Sequence, residues 1–358
     1  MKNNFKLNIL KKKMKGGIRM FKLKVLCKEE TEKVLKLKDV IGSVEEVYKQ
    51  KALGETEVFP LIFHEFTPGV ADMDIKSGWL KGSGLFGLKL VSWFGDNVNK
   101  QLPALIGTVL VFDDKTGVPI GIVDGSYITG IRTGAAGALG AKYLARPDSE
   151  TLLIVGAGHV ATFQVAATLS LFPSIKKVMV YDPMDYKSAE MFVNQIEATL
   201  DEKFHIQVKE TTKFTAVKDI KNATENSDII ITVTPAREPI IMAEWVKPGT
   251  HFSCIGADMS GKEEIAPEIL RGARIFVDDI KQCINVGEIE IPIKKNIITK
   301  EDLAGEIGEI ITGRTKGREN HKQITVFDAT GTALLDLMTA KLAFDEAEKM
   351  NLGTSVNI

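Results

Sequence analysis

The chain has 358 residues, of which 44% are hydrophobic and 26% are charged, and 46 basic side chains nearly balance 47 acidic ones. This length exceeds what one ordinary hydrophobic core holds and fits two domains of a soluble globular protein. A net charge of −1 provides no broad positive field, so neither nucleic acid nor an acidic membrane surface is an expected partner.

The cysteines and histidines argue against disulfide and metal sites. Cys27, Cys254 and Cys283 are odd in number, lie far apart and form no CxxC pair. A disulfide framework is therefore not expected, and a reducing cytoplasmic location is favoured. None of the five histidines forms a metal-spaced pair, so we expect no metal. No apolar run approaches the ~18–20 residues of a membrane span.

Residues 1–20 are rich in lysine, and no acidic residue occurs before Glu29. Lys6 and Asn8 interrupt the apolar residues near the start, whereas a signal peptide needs a continuous apolar core of roughly 7–15 residues. We therefore predict a disordered basic tail over residues 1–20.

One helix, several strands and a glycine-rich helix follow in the first 145 residues. Residues 39–51 place Val40, Val44 and Val47 at helical spacing. LIFHEF, GLFGLKLVSWF and LIGTVLVFDDKTGVPIGIVDG predict strands, the last as a hairpin around DKTG. ITGIRTGAAGALGAKYLA predicts a helix whose small residues permit close packing.

From residue 151 apolar strands alternate with helices. The predicted strands are TLLIV, KKVMVYD, HIQVK, DIIITVT, HFSCIGA and ARIFVDD. This alternation predicts an α/β class, with a doubly wound parallel sheet of the Rossmann type covered on both faces. We place this domain at residues 146–324. A last strand and long helix return to the first domain, which then comprises residues 21–145 and 325–358.

A glycine turn follows the first strand of the second domain. GAGHVA, which begins at Gly156, fits the G-x-G-x-x-G/A pattern and lies between an apolar strand and a helix, as a dinucleotide site requires. Gly156 permits the tight turn, Gly158 lets backbone approach a pyrophosphate, and Ala161 keeps helix and strand close. The N–H groups of the helix start, including His159 and Val160, then face the phosphates. The alternative is a glycine turn in a nucleotide-free domain.

Asp182 ends the next strand, 26 residues after Gly156, and a ribose-binding acid is expected about 20 residues on. A carboxylate there accepts hydrogen bonds from ribose hydroxyls and repels a 2′-phosphate. We therefore predict NAD rather than NADP as the cofactor. Thr133, Thr232 and Thr234 are further predicted cofactor contacts, although Thr-x-Thr is also ordinary strand composition.

Three charged residues stand in apolar or glycine-rich surroundings: Lys89 in GLKLVSWFGDN, Arg132 in TGIRTGAAGA and Asp258 in CIGADMSGKEEI. A guanidinium among small residues suits a bidentate grip on a carboxylate. An acid just past a parallel strand could transfer protons. The alternatives are a snorkelling lysine, a surface arginine and a helix-capping aspartate.

Several stretches resemble one known family when they are taken together and in order. TGIRTGAAGALGAKYLARPDSETLLIVGAGHVATFQ, IITVTPAREPII, HFSCIGADMSGKEEI and ITGRTKGRENHKQITVFDATG resemble the ornithine cyclodeaminase/mu-crystallin family. The similarity extends over about residues 87–341. It implies a Rossmann domain that binds NAD(P), and an α+β substrate and dimerisation domain built from the N-terminal part and the C-terminal return. It also implies a homodimer that transfers hydride at Cα of a small amino or imino acid.

The resemblance assigns roles position by position. Lys89 matches the family's substrate-binding lysine, which we also count as catalytic, and Arg132 matches its carboxylate-binding arginine. Asp258 matches the catalytic aspartate and Asp182 the ribose-binding acid. Asp72 falls near the position where cyclodeaminases place a substrate-binding acid.

The chain departs from the family in the region that selects the substrate. A second substrate-binding arginine usually follows a proline near Leu61, but this chain reads VFPLIFHEF there. Lys76, Lys81 and Lys89 are the candidate replacements. GVADMDIKSG also lacks the family's Met-Pro turn.

The sequence leaves three functions open. We favour an ornithine-cyclodeaminase-like lyase, which needs an acid such as Asp72 or Asp74 to orient the distal amine. The alternative is an NAD-dependent amino-acid dehydrogenase or imine reductase resembling alanine dehydrogenase. A non-catalytic, mu-crystallin-like binding protein is the third possibility, and the joint presence of Lys89, Arg132 and Asp258 argues against it.

Overall fold

The computed structural model describes residues 20–358, so the predicted basic tail lies outside the described residues except at its last position. The helices within this range are α1 (Lys28–Val34), α2 (Leu37–Ala52), α3 (Gly125–Leu144), α4 (His159–Leu171), α5 (Tyr186–Phe204), α6 (Ile220–Glu225), α7 (Pro267–Leu270), α8 (Ile280–Val286), α9 (Glu290–Lys294), α10 (Ile307–Ile311) and α11 (Ala333–Lys349).

The strands within the same range are β1 (Lys22–Leu26), β2 (Thr56–Val58), β3 (Ile62–Thr67), β4 (Ala71–Leu80), β5 (Leu85–Phe94), β6 (Leu105–Asp113), β7 (Pro119–Asp124), β8 (Thr151–Val155), β9 (Lys177–Tyr181), β10 (Lys213–Ala216), β11 (Ile229–Thr232), β12 (Arg237–Ile241), β13 (His251–Cys254), β14 (Glu263–Ile265), β15 (Arg274–Val277), β16 (Leu303–Glu306), β17 (Thr325–Asp328) and β18 (Thr354–Asn357). No helix in the described part of the chain combines the length and apolarity that crossing a membrane requires.

The first sheet has the strand order β18-β1-β7-β6-β5-β4-β2, with β3 also paired to β4. All pairs are antiparallel except β1 with β7. Helix α11 packs across β4, β5 and β6, and α2 packs against both α3 and α11. The face of the sheet that the helices cover is therefore shielded from water. Its core includes Leu80, Leu85, Val109 and Val111.

The second sheet is wholly parallel, with the order β10-β9-β8-β11-β13-β17-β15-β16. Its central strands are buried, apart from Thr151 at the start of β8, because helices cover both faces. The chain order reverses between β8 and β11, and ligands of such sheets bind outside the carboxyl ends of the strands at this point. The predicted α/β Rossmann architecture with a second α+β domain is confirmed.

Two details of the second sheet differ from expectation. HIQVK does not form a strand, because His205 caps α5 in the left-handed conformation at φ 54° and Ile206 N–H bonds back to Leu200. The strand forms later, at β10. β17 lies between β13 and β15 in this sheet, so the structure places residues 325–328 here, although the sequence-based boundary assigned them to the first domain.

The small-residue face predicted for α3 packs directly against α4. A Cβ on Gly130 or Gly134 would overlap Phe163, and one on Gly137 would overlap the amide of Gln164. At Gly134 the obstructing atom is the Phe163 backbone carbonyl, which no rotamer change can move. The close approach of these helices therefore depends on glycine.

We predict that Gly134→Ala lowers the free energy of unfolding by about 1–3 kcal/mol, because overpacking outweighs the better helix propensity of alanine. Gly42→Ala in α2 is the control, since no atom lies within 4 Å of a Cβ there. That variant should gain about 0.5–1 kcal/mol. Denaturant unfolding midpoints give both values, and equal shifts in the two variants would contradict the packing account.

Candidate functional site

A cleft of about 430 Å³ opens between the two sheets. Lys76 of β4 and Leu61, just before β3, line it from the first domain. Asp258, which follows β13, and Gln282 of α8 line it from the second. The cleft therefore faces the carboxyl ends of the parallel strands, where such sheets bind their ligands.

A buried ion cluster adjoins this cleft. Lys89 Nζ in β5 and Arg132 Nε in α3 each lie 3.0 Å from the same oxygen, Oδ1 of Asp336 in α11. Lys89 is 3% exposed and Asp336 is fully buried. Asp336 Oδ2 has no hydrogen-bond partner within residues 20–358. Two cations thus share one carboxylate, which leaves positive charge for a ligand anion.

Burial and charge shift the titration of this cluster. Burial lowers the pKa of Lys89 to about 8, and Asp336 offsets part of that effect. Burial alone would raise the pKa of Asp336, but Arg132 and Lys89 outweigh it and hold this pKa below its usual value. At neutral pH the cluster therefore consists of a carboxylate between two cations.

Gly331 connects the cluster to the cleft. Its carbonyl accepts hydrogen bonds from Lys76 Nζ at 3.4 Å and from Gln282 Nε2 at 3.2 Å. Its φ is +76°, and a Cβ would lie 2.6 Å from Arg132 Nη1. Only glycine fits there, because any side chain would fill the space beside the guanidinium. Lys76 also lies directly opposite Lys89 in the β4–β5 pair.

Two acids line the cleft, Asp258 and Asp279, and Asp279 is paired with Lys51. The side chain of Asp258 is 47% exposed. Its Oδ1 lies 2.6 Å from Lys262 Nζ. The position within the cleft opposes ionisation, but Lys262 and then Lys76 hold the pKa of Asp258 below its usual value. The ionised carboxylate is ready to accept a proton.

The glycine turn has the geometry that a dinucleotide site needs. Gly156 has φ +105°, and a Cβ would lie 2.9 Å from the Val233 carbonyl. Gly158 is the N-cap residue of α4 and has no side chain that could bond the first N–H groups of the helix. A Cβ at this position would meet open space. The N–H groups that begin α4, including those of His159 and Val160, therefore border open space that suits a pyrophosphate. Ala161, in the first turn of this helix, is fully buried.

Asp182 lies beside this turn, as the ribose-binding role requires. Its Oδ2 accepts the Ala157 N–H at 2.9 Å, and its Oδ1 accepts the N–H groups of Met184 and Asp185. These bonds fix the carboxylate at the end of β9. The residues fit a dinucleotide, and a carboxylate here disfavours a 2′-phosphate.

The hydroxyls of the three predicted threonine contacts are bonded within the protein. Thr232 and Thr234 both donate their hydroxyls to Glu264, at 2.7 Å and 2.8 Å. The Thr133 hydroxyl donates to the Thr129 carbonyl within α3. These hydroxyls therefore stabilise the walls of the site, and their contact with a cofactor stays a prediction.

The two acids of β4, Asp74 and Asp72, differ in how near they lie to the buried cluster. Asp74 lies close enough to Lys76, Lys89 and Asp258 for their charges to act on its pKa, which burial nonetheless raises. Asp72 lies two residues farther along the strand, where burial and Glu65 raise its pKa. Asp74 is thus the acid of β4 nearest the cluster, whereas the sequence pointed first to Asp72.

Sequence reasoning missed two buried acids. Asp336 interrupts the apolar run ALLDLM, and a lone acid on the buried face of a helix needs a cationic partner. Glu264 lies in GKEEI and accepts four hydrogen bonds, from both threonine hydroxyls and from the N–H groups of Thr234 and Gly256. Glu264 thereby joins the carboxyl ends of β11 and β13.

We predict that Asp336→Asn costs about 3–5 kcal/mol of unfolding free energy at pH 6, because two buried cations lose their counterion. The loss should shrink at pH 9, since the pKa of Lys89 is already lowered to about 8 and neutral Lys89 needs no counterion. Asp345→Asn on the same helix is the control, because its pair with Lys341 is exposed. Its cost should stay below about 1 kcal/mol. Equal losses in the two variants at pH 6 would contradict this account.

The comparisons with known proteins cover nearly the whole chain. The model of the "Ornithine cyclodeaminase/mu-crystallin family" matches residues 22–351. An alanine dehydrogenase from Archaeoglobus fulgidus is 36% identical over 93% of this chain and 97% of its own length. A solved archaeal alanine dehydrogenase dimer with bound NAD is 35% identical, with a TM-score of 0.85 over 94% of this chain and 99% of that one.

A second solved structure is equally similar in fold. The Thermococcus litoralis Δ1-pyrroline-2-carboxylate reductase, in complex with NADH and L-proline, is 33% identical with a TM-score of 0.85. The match covers 93% of this chain and all of that one. The nicotinamide cofactors in both solved relatives agree with the predicted NAD site, and the predicted family is confirmed. The chain belongs to the ornithine cyclodeaminase/mu-crystallin family.

Proposed function

We propose that the protein is an NAD-dependent amino-acid dehydrogenase or imine reductase. The observation that carries this proposal is the buried Lys89–Asp336–Arg132 cluster, which keeps positive charge beside a cleft that also holds Asp258. The cleft adjoins the carboxyl edge of a dinucleotide-binding sheet. In the oxidative direction an amino acid loses hydride from Cα and a proton from nitrogen, and the resulting imine is hydrolysed to an oxo acid and ammonia. Imine reduction is the reverse of the first step.

In this proposal the cationic residues bind the substrate carboxylate and the acidic residue transfers the proton. Arg132 reaches Asp336 through Nε, so its outer Nη groups are available for the substrate carboxylate, with Lys89 beside them. Asp258 accepts the proton from the substrate nitrogen, or returns it in the reductive direction. Lys262 stabilises the ionised form of Asp258 before the substrate binds.

The cofactor is held by the residues already described for the second sheet. Gly156, Gly158 and the start of α4 would receive the pyrophosphate, and Asp182 would receive the ribose. Bound NAD supplies the hydride acceptor of the reaction, and NADH the donor. The relatives solved with NAD and with NADH support this assignment.

A cyclodeaminase lyase is the second candidate, and Asp74 is the observation in its favour. One oxygen of Asp74 is buried without a hydrogen-bond partner among the described residues, and a carboxylate there could hold a distal amine. Lys76, two residues on, would repel that ammonium group. The alanine dehydrogenase relative, at 36% identity, also supports the dehydrogenase.

The two candidates are separated by incubating the protein with NAD and a panel of amino acids. We expect steady net NADH from alanine or another monoamino acid, and NADH consumption with a 2-oxo acid plus ammonia or with a cyclic imine. Proline formed from ornithine without net NADH would instead establish the lyase. If no substrate turns over in either direction, the enzyme proposal fails.

We predict that Asp258→Asn lowers turnover by about 100- to 10,000-fold, because the proton acceptor is lost. Binding of NADH, followed by its fluorescence, should stay within about twofold, since Asp258 follows β13 and the glycine turn follows β8. Loss of nucleotide binding in this variant would contradict the assigned role.

We also propose that the protein is a homodimer joined through the first sheet. The face of β3–β6 opposite the helices exposes large apolar side chains, and monomers seldom expose such patches. These are Ile62 (54% exposed), Phe66 (54%), Leu90 (37%), Phe94 (36%) and Ile106 (41%). The solved archaeal alanine dehydrogenase is described as a dimer, which supports a second copy as the partner.

We predict a solution mass of twice the chain mass by light scattering, and its reduction to that of a monomer by Ile62→Glu. A buried charge without a partner strongly disfavours such an interface. Met191→Glu is the matched control, because Met191 is 57% exposed on α5, away from this sheet. A monomeric wild type, or dissociation by the control variant, would overturn the assignment.

A further inference from the structure

The wall of the cleft where the family places an arginine is apolar in this chain. Phe59, Pro60 and Leu61 line the cleft there, and Leu61 is 53% exposed. An apolar wall cannot hold a carboxylate. A cation that replaces the family's arginine must therefore come from another element of the fold.

Lys76 lies in the cleft, and its ammonium group is weakly bonded within the protein, so it can supply that cation. It lines the same cleft as Leu61 and Asp258 and is half-buried. Within residues 20–358 its Nζ makes one long hydrogen bond, 3.4 Å to the Gly331 carbonyl, and forms no ion pair within 4.0 Å. The ammonium group of Lys76 therefore retains donors for a ligand.

Lys76 and Arg132 lie on two sides of Gly331. Lys76 bonds its carbonyl, and the Arg132 guanidinium lies on its Cα side, where a Cβ would come within 2.6 Å of Nη1. A carboxylate lying over Gly331 can therefore reach both cations. Lys89, opposite Lys76 on the next strand, completes the positive surroundings.

We propose that Lys76 binds the α-carboxylate of the substrate together with Arg132, in place of the arginine absent at Leu61. The wall at Phe59–Leu61 then receives the substrate's side chain. The substrate class is an α-amino or imino acid with one carboxylate and an apolar side chain. This inference rests on the dehydrogenase or reductase activity proposed above.

The other lysines near the site do not fit this role. Lys81 points away, since it pairs with Glu57 at 3.3 Å and lies over the Trp79 ring. Lys89 already belongs to the buried cluster through its bond to Asp336, so it is not the additional cation that replaces the arginine. Lys281 lines the cleft but is exposed on α8, so water screens its charge more strongly than that of Lys76.

The test compares the wild type with Lys76→Met, using Lys81→Met as the matched control. Steady-state kinetics are measured with alanine, valine and aspartate. For Lys76→Met we expect KM for alanine and valine to rise by about 10- to 100-fold, the range for a lost charge-assisted hydrogen bond. Turnover and KM for NAD should change by less than about threefold, and Lys81→Met should match the wild type.

A second variant tests the position of the cation directly. Leu61→Arg in the Lys76→Met background restores the family's charge from the other wall. We expect it to recover most of the lost affinity for alanine while lowering kcat/KM for valine, because arginine fills the apolar wall. Recovery of neither substrate, with the fold intact by circular dichroism, would show that the two positions do not serve one carboxylate.

Several outcomes would overturn the inference. An unchanged KM in Lys76→Met, or a rise seen only in Lys281→Met, assigns the carboxylate to other groups. If aspartate is the best substrate and Lys76→Met loses aspartate alone, then Lys76 binds a distal carboxylate instead. Titration of wild type and Lys76→Met with pyruvate in the presence of NADH measures binding without turnover. If the wild type neither binds nor turns over any acid, the proposed function itself fails, whereas an active wild type matched by Lys76→Met rejects Lys76 alone.

Discussion

Two buried cations share one oxygen of Asp336, and this interaction fixes the relative positions of β5, α3 and α11. Removing three charged groups from water is costly, and the attraction within the cluster must offset that cost. Because one carboxylate faces two cations, the cluster keeps an excess of positive charge next to the cleft. In the proposed function a substrate carboxylate completes the neutralisation, so the cluster costs stability in the free protein and provides a preorganised anion site.

A second interior carboxylate organises the opposite side of the cleft. Glu264 accepts hydrogen bonds from Thr232, Thr234 and Gly256 and so holds the ends of β11 and β13 in register. Burial raises its pKa, although the four donors act against that effect. Asp258 follows the second of these strand ends. The position of Asp258, the proton acceptor in the proposed function, therefore depends on the hydrogen bonds of Glu264.

Local patterns predicted most of the fold and indicated several of the residues that the structure places at the candidate site. The glycine turn, the alternating strands, and Lys89, Arg132 and Asp258 each carry a signal within a few neighbouring residues. The partner of Lys89 lies 247 residues away and that of Arg132 204 residues away, and no local pattern reports such a contact. The strand predicted at HIQVK was wrong because Ile206 and Val208 pack against the core in the segment that follows a helix cap, without a strand partner. The roles of the predicted side chains toward ligands stay predictions.

The order of synthesis has a consequence for how this enzyme can be assembled. The ribosome produces β5 and α3 long before α11, so an incomplete chain carries Lys89 and Arg132 without their carboxylate. The parallel sheet is also unfinished until β17 emerges and joins β13 to β15. Both domains therefore need the same C-terminal segment before they can complete folding. Domains of larger proteins generally fold one after another from the N-terminus, but here neither domain can be completed before the other. A chain that ends before β17 and α11 therefore has neither a complete parallel sheet nor a complete Lys89–Asp336–Arg132 cluster.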